Sequence, residues 1–344
     1  MGANIVSKNG GLTNDMWNVN AQMMEAYIND VNTEKNNYDD FINKIFNVKK
    51  SDKFGEPIGS YTEFGDFVPT SVDGAAAVLD DIQSGPTKLI QHTTFKKLFR
   101  ITREMNEDSK VDLMQAKGRN MVQAYKRTRA AFASTALTAC AKKSLTAPAT
   151  TFSFNGIDGF DCAAADKKGL FATDHPGVKT PAKTQSNVFT NAFGADATVL
   201  NRLANIGRNL KNGSDVTMGY TFDTIIIPSN CYALEDTIKK IIRTDLMVGS
   251  QLNDINTQKG LWTLIVDPCW QADDGTAPFI LMSTEANKEL LGNKLYDRVA
   301  LDVTADVDIT TNDMIWNGYA RMSVGFPSWQ HVILGGAAYG TTLA

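Results

Sequence analysis

Residues 87–143, TKLIQHTTFKKLFRITREMNEDSKVDLMQAKGRNMVQAYKRTRAAFASTALTACAKK, decide how the rest of the chain is read. The first part, Thr87 to Ile101, has the composition of an extended arm. From Glu104 to Lys143, apolar residues recur at Val111, Met114, Met121, Val122, Tyr125, Phe132, Ala136 and Cys140, mostly in steps of three or four. That is the period of one helix face. No proline interrupts it, and Gly118 is the one weak helix former inside. A helix of that span is roughly 60 Å long, a rod suited to an extended object more than to a compact catalytic domain.

Upstream, Gly55 to Thr102 is punctuated by Gly55, Gly59, Gly65, Gly74 and Gly85 and by Pro57, Pro69 and Pro86. Strand-like runs, Phe64 to Val68 and Leu89 to Ile101, stand at its two ends, which predicts a long hairpin-like loop. A loop of that length acts outside its own domain. Before it, Met1 to Thr13 reads as a polar arm. Trp17, Met24, Ile28, Val31, Tyr38, Ile42 and Ile45 then mark one helix, capped by Asn14 or Asp15 and running to about Asn47.

Downstream, Leu145 to Ser186 is irregular and contains LFATDHPG, Leu170 to Gly177. Asp196 is the expected cap of a helix carrying Leu200, Leu203 and Ile206. Phe222 to Ile227 reads as a buried strand ended by Pro228, with Ser229 capping a helix through Ile242. Strands are expected at Trp262 to Val266, Phe279 to Met282, Leu295 to Ile309, Met314 to Phe326 and Trp329 to Leu334, then a glycine-rich tail, Gly335 to Gly340. Asp196 to Leu334 reads as one α/β or α+β domain with a mixed or antiparallel sheet.

The net charge of −4 over 344 residues excludes a nucleic-acid binder held by bulk positive charge. The charge is nonetheless split. Lys96 to Arg129 holds ten Lys/Arg against four Asp/Glu, a balance of +6; Gly55 to Phe95 holds Lys88 against six acidic residues, a balance of −5. The acidic residues Glu56, Glu63, Asp66, Asp73, Asp80 and Asp81, and the basic Lys110, Lys117, Arg119, Lys126, Arg127 and Arg129, are candidates for contact between subunits, the basic set alternatively for packaged DNA.

Chemistry-bearing patterns are sparse. Cys140, Cys162, Cys231 and Cys269 are scattered without C-x-x-C spacing, so neither a zinc site nor a disulfide framework is expected. No apolar run approaches the ~18–20 residues that cross a bilayer. Of three histidines, His331 sits in an apolar strand and reads as structural, and Asp174 reads as stabilising the turn at His175-Pro176. There is no nucleophile elbow, phosphate loop or dinucleotide fingerprint. No catalytic residue, metal ligand or cofactor is therefore expected, and an enzyme of α/β type would need a site the sequence does not display.

The order of parts resembles tailed-bacteriophage major capsid proteins of the Hong Kong 97 type. FKKLFRITREMNEDS, Phe95 to Ser109, looks like that family's loop return strand entering its spine helix. LFATDHPG looks like its peripheral-domain loop. The Phe222 to Ile227 strand with Pro228 and the helix behind it resembles its axial domain, as does the closing WNGYARMSVGFPSWQHVILGG, Trp316 to Gly336. The resemblance implies an α+β fold in five parts. These are an N-terminal arm over residues 1–54, an extended loop over 55–102, and a spine helix with peripheral domain over 103–194. An axial domain over 195–290 follows, and 291–344 returns to the peripheral domain and ends in a tail.

It further implies hexamers and pentamers of one chain closing an icosahedral head around double-stranded DNA. The partners it implies are a portal, in some members a decoration protein, and non-specific DNA contact, with assembly in the bacterial cytoplasm and residence in the virion. An encapsulin-like protein compartment shares this layout and is the alternative. About fifty residues precede the loop, short for a built-in scaffolding segment, so a separate scaffolding protein is expected. Lys88, the one lysine of the loop, stands on the return arm, so a covalent cross-link between subunits is not expected.

Overall fold

The computed structural model describes residues 14–61, 64–69, 76–77, 79, 84–102, 104–105, 111–194, 197–246, 255–290, 292–308, 310–311 and 313–343. At the N-terminal end, the single expected helix is two: α1, Asn14–Thr33, and α2, Asn37–Ile45. Asn36 causes the break. Its backbone is extended, and its side chain accepts from the N–H groups of Tyr38 and Asp39 at 3.1 Å each, starting a new helix.

The return arm also divides. Strand β2, Gly55–Tyr61, pairs antiparallel with β3, Ser84–Gln91, forming the stem of the loop. After His92, β4, Thr93–Ile101, leaves that hairpin and joins a different sheet. Its partners there are β13, Met314–Gly325, then β12, Lys294–Val307, then β1, Asn47–Lys50, in the order β1-β12-β13-β4.

Within the described residues the long helix α3 runs Val111–Leu137, about 40 Å, with Glu104 and Met105 also helical and its C-terminal end six residues short of the expected Lys143. Its end is set by side chains competing for its last carbonyls. Thr135 and Thr138 donate to the carbonyls of Ala131 and Ser134 at 2.7 and 2.8 Å. Ala139–Ala141 tighten into a 3-10 turn, and the Lys143 N–H is taken by the Asp273 carboxylate at 2.6 Å. Gly118, the weak helix former, is where α1 crosses: a Cβ there would stand 3.0 Å from Ile28 Cγ1 and 3.2 Å from Met24 Sδ.

The expected single downstream domain is two packed regions. A mixed sheet runs β10-β9-β11-β14: Thr263–Asp267, Thr224–Pro228, Phe279–Met282 and Val332–Gly335. Helices α4, Thr198–Arg208, and α5, Tyr232–Arg243, cover one face with Leu200, Leu203, Leu234 and Ile238. Strands β12 and β13, by contrast, return to the sheet of β4 and β1. Asp196 lies outside the described residues, and the α4 cap, Ala197, makes no side-chain cap bond. Ser229 does not cap α5 either, because its hydroxyl donates to the Trp270 carbonyl at 2.9 Å and Cys231 takes the cap position.

The irregular stretch after α3 contains a hairpin, β5, Thr151–Phe154, and β6, Ile157–Asp161, turned by Asn155 and Gly156 at φ 50° and 80°. Its Phe152, Phe154 and Phe160 surround Phe132 of α3 together with Phe95 of β4, at ring centroid separations of 5.5, 5.3, 5.3 and 5.3 Å. The glycine-rich end is no loose tail. Ala337 and Tyr339 are buried, and Tyr339 donates to the Phe171 carbonyl at 2.9 Å. Gly340, at φ 134°, leaves no room for a Cβ, which would meet the Val188 carbonyl oxygen at 2.8 Å.

One buried acid joins the two regions. Asp267, at the end of β10, is fully buried; its Oδ1 accepts from Cys269 N and Trp270 N at 2.8 and 3.2 Å, and its Oδ2 from Ser134 of α3 at 2.5 Å. Burial nevertheless pushes its pKa up from 3.8 to about 6. Below the ordinary carboxylate range the group is protonated in both folded and unfolded chains. From pH 3.8 to about 6 the unfolded chain ionises this carboxyl while the folded chain keeps it protonated, so stability falls across that window by on the order of 3 kcal/mol and levels off above it.

Asp267→Asn keeps the oxygen for the two backbone donors and offers an NH2 to Ser134. Its unfolding free energy relative to the unmodified chain should rise between pH 4 and pH 7.5. A loss above about 2 kcal/mol at pH 7.5 would show that the carboxylate charge itself is needed.

Candidate assembly surfaces

The hairpin β2–β3 stands on the rest of the fold through two anchors. Lys88 on β3 is buried, its ammonium 3.2 Å from the Asp161 carboxylate and bonded to the Ala163 carbonyl. Ile90, beside it, is buried against Gly325, where any added Cβ would strike its side chain at 2.3 Å. The lysine of the loop is thus spent within its own chain.

His92 is the second anchor, placed where the chain passes from hairpin to sheet. Ser51 donates to Glu56 at 2.7 Å, so its oxygen accepts from His92 Nε2 at 3.0 Å. The other ring nitrogen, Nδ1, accepts from the Ser323 hydroxyl at 2.9 Å. Glu56 therefore fixes the tautomer through Ser51. Burial first, then Arg298 and Arg321, lower the His92 pKa and keep the ring neutral. Glu56 itself is held by Ser51 and, at 3.7 Å, by Lys53. Asp66 is exposed, and Glu63, Asp73, Asp80 and Asp81 lie outside the described residues. The neighbours Phe64, Phe67 and Val68 present bare apolar side chains, Phe67 fully exposed.

The basic residues of α3 divide into two groups. Lys126 and Arg129 are buried in a charge network of this chain alone. Lys126 is 2.9 Å from Asp39 and bonds the Glu34 carbonyl. Arg129 grips Asp297 of β12 with two bonds, 2.6 and 3.2 Å, and faces Asp39 at 3.7 Å. Both side chains are buried within this chain. Lys117, Arg119 and Arg127 are exposed, Arg119 bonding the Tyr27 hydroxyl at 3.3 Å; Lys110 lies outside the described residues.

The LFATDHPG segment closes on a buried hub that sequence reasoning missed. His175 is fully buried, Nδ1 2.6 Å from Asp166, its ring stacked on Trp329 at 4.1 Å. The neighbouring Asp174 pairs instead with Lys168 on the surface. Asn187 accepts from Ala172 N and His175 Nε2 at 3.0 and 3.2 Å. Its NH2 serves the carbonyls of Leu170, Trp329 and Val332 at 2.9, 3.3 and 3.2 Å. His331, the other histidine of this region, is fully buried, bonds Asn293 at 2.8 Å, and is held neutral by burial with a pKa of about 3.

Among the described residues no group of three His, Cys, Asp or Glu is placed to hold a metal ion, and no helix is long and apolar enough to cross a membrane. No protein-family model and no curated protein sequence matches the chain. Solved structures do match, along nearly its whole length. The structure of Mycobacterium phage Patience superposes with a TM-score of 0.51 at 12% identity, covering 96% of this chain and 89% of that one. The capsid of Myoviridae phage XM1 gives 0.50 at 11% identity over 86% and 90%. This is a phage-capsid fold. The capsid of the native GTA particle matches equally, with a TM-score of 0.50 at 11% identity over 88% and 91% of the two chains. Within that fold the five-part plan read from the sequence remains an assignment of labels. The sheets place β12 and β13 beside β4 and β1, and β9, β10, β11 and β14 apart from them.

Proposed function

We propose that the chain is the subunit of a closed protein shell, a major capsid protein whose hexamers and pentamers enclose double-stranded DNA. The observation that carries this is the match over nearly the whole length of both chains to the capsid of phage XM1 and the capsid of the GTA particle. The hairpin adds physical support. Among the described residues it is a two-stranded ribbon paired with no further strand, and Phe64, Asp66, Phe67 and Val68 beyond it are exposed in a lone chain. Burial against a second copy satisfies both, and symmetric rings of one chain need interfaces rather than an active site.

In this reading the acidic loop residues Glu63, Asp66, Asp73, Asp80 and Asp81 meet a basic surface of the next subunit. The exposed Lys117, Arg119 and Arg127 meet another subunit or the DNA backbone. A separate scaffolding protein, a portal and a decoration protein complete the proposal, with residence in the virion after assembly in the host cytoplasm. Electron microscopy of the purified full chain should show rings or shells with five-fold and six-fold vertices. Particles formed beside the authentic scaffolding protein should be uniform and contain DNA. A stable monomer at tens of micromolar with no assembly under any salt condition would sink the proposal. Uniform shells loaded with one enzyme and no nucleic acid would replace it with a protein compartment.

A further inference from the structure

Among the described residues the edge strand β1 pairs with β12 alone, and the chain around it is strongly basic: Lys44, Lys49, Lys50 and Lys53 are all exposed there. Beneath them lies Lys294, the ladder partner of Asn47, only 2% exposed. Among the described residues, no carboxylate or carbonyl accepts from its ammonium. It faces the Lys49 amine instead, and burial first, then Lys49, lower its pKa from 10.5 to about 8. The other buried lysine and arginine side chains among the described residues all have counter-charges: Lys88 with Asp161, Lys126 with Asp39, and Arg129 with Asp297. A buried cation is tolerated when it is paired, so Lys294 stands out as a half-made ion pair.

We propose that Lys49, Lys294 and the free edge of β1 seat a carboxylate from the extended loop of a second copy of this chain. The inference rests on the shell reading above. Charge complementarity selects this occupant. Residues 62–83 carry Glu63, Asp66, Asp73, Asp80 and Asp81 and no lysine or arginine. Two of the spine cations, Lys126 and Arg129, are already neutralised within the chain. Docking supplies the missing counter-charge to Lys294 and removes the loop carboxylates from their mutual repulsion.

The test uses assembled particles of the full chain and a water-soluble carbodiimide, which joins an amine to a carboxylate in contact. Peptide mapping should find Lys49 or Lys294 joined to residues 62–83 in particles and not in unassembled chain. Lys294→Met separates this role from a structural one. Removing an unpaired buried charge should raise the unfolding temperature of the unassembled chain, yet assembly should slow at least several-fold. Normal assembly of Lys294→Met with no such cross-link overturns the proposal while leaving the shell reading intact. Photo-cross-linking of Lys49 to packaged nucleic acid, without the loop cross-link, overturns it in favour of phosphate as the occupant. Failure of the unmodified chain to assemble at all overturns both.

Discussion

Arg129→Ala should cost the folded chain about 3–5 kcal/mol, because it leaves a carboxylate without its partner in a largely buried setting. Arg129 and Asp297 have side-chain exposures of 10% and 16%, and Asp39 and Lys126 of 19% and 4%. The two short bonds from Arg129 to Asp297 tie α3 to β12, and the contacts of Lys126 and Arg129 with Asp39 tie both to α2. Losing the guanidinium therefore loosens three elements together. Tyr125, one turn away and pushed up to about 12 mainly by its own burial, stays neutral and offers no replacement charge.

Arg129→Lys should recover only part of the loss, since an ammonium cannot make the paired bonds of a planar fork. Arg129→Met combined with Asp297→Leu should recover most of it, because an apolar pair of similar volume needs no counter-charge. Urea unfolding of the four proteins checks the order. A loss below about 1 kcal/mol for Arg129→Ala would mean that water reaches the network and screens it.

The same network marks where sequence reading stops. That Lys126 and Arg129 are basic and lie on a helix is visible from their spacing. That they are buried depends on Asp39 and Asp297, which belong to distant parts of the chain and signal nothing by position. The long helix and the hairpin were legible because a 3.6-residue period and glycine–proline punctuation are local properties. The division of the return arm at His92 was not. Both β3 and β4 have strand composition, and what separates them is the partner each finds, β2 for one and β13 for the other. The break at Asn36 was hidden for a related reason, since an N-cap asparagine looks like any polar residue on the wet face of a helix. Gly118 was read as a weakness in the helix, whereas its missing side chain is what lets α1 approach. Of the candidate contact residues, those on α3 were judged by charge alone, which cannot tell a free cation from a paired one.

Asn187→Leu should be the most damaging single change in the region around LFATDHPG. The asparagine is fully buried, lies outside that motif and belongs to no sequence pattern, yet it satisfies five groups from two separate stretches of chain, 170–175 and 329–332. An apolar replacement of similar volume fills the space and leaves three carbonyls, one N–H and one imidazole nitrogen without a partner. Each such orphan costs about 1–3 kcal/mol, so even with local rearrangement the loss should exceed about 4 kcal/mol.

Asn187→Asp is the sharper comparison, because its size is unchanged. The carboxylate still accepts from Ala172 and His175, but its second oxygen now faces the carbonyls of Leu170, Trp329 and Val332 with no hydrogen to share. Protonating that acid restores one donor, so the Asp variant should regain stability as pH falls below neutrality, whereas the Leu variant should not. Thermal unfolding of both variants between pH 5 and pH 8 distinguishes them. Equal and pH-independent losses would show that the hub works through packing against the His175–Trp329 stack instead of through its hydrogen bonds.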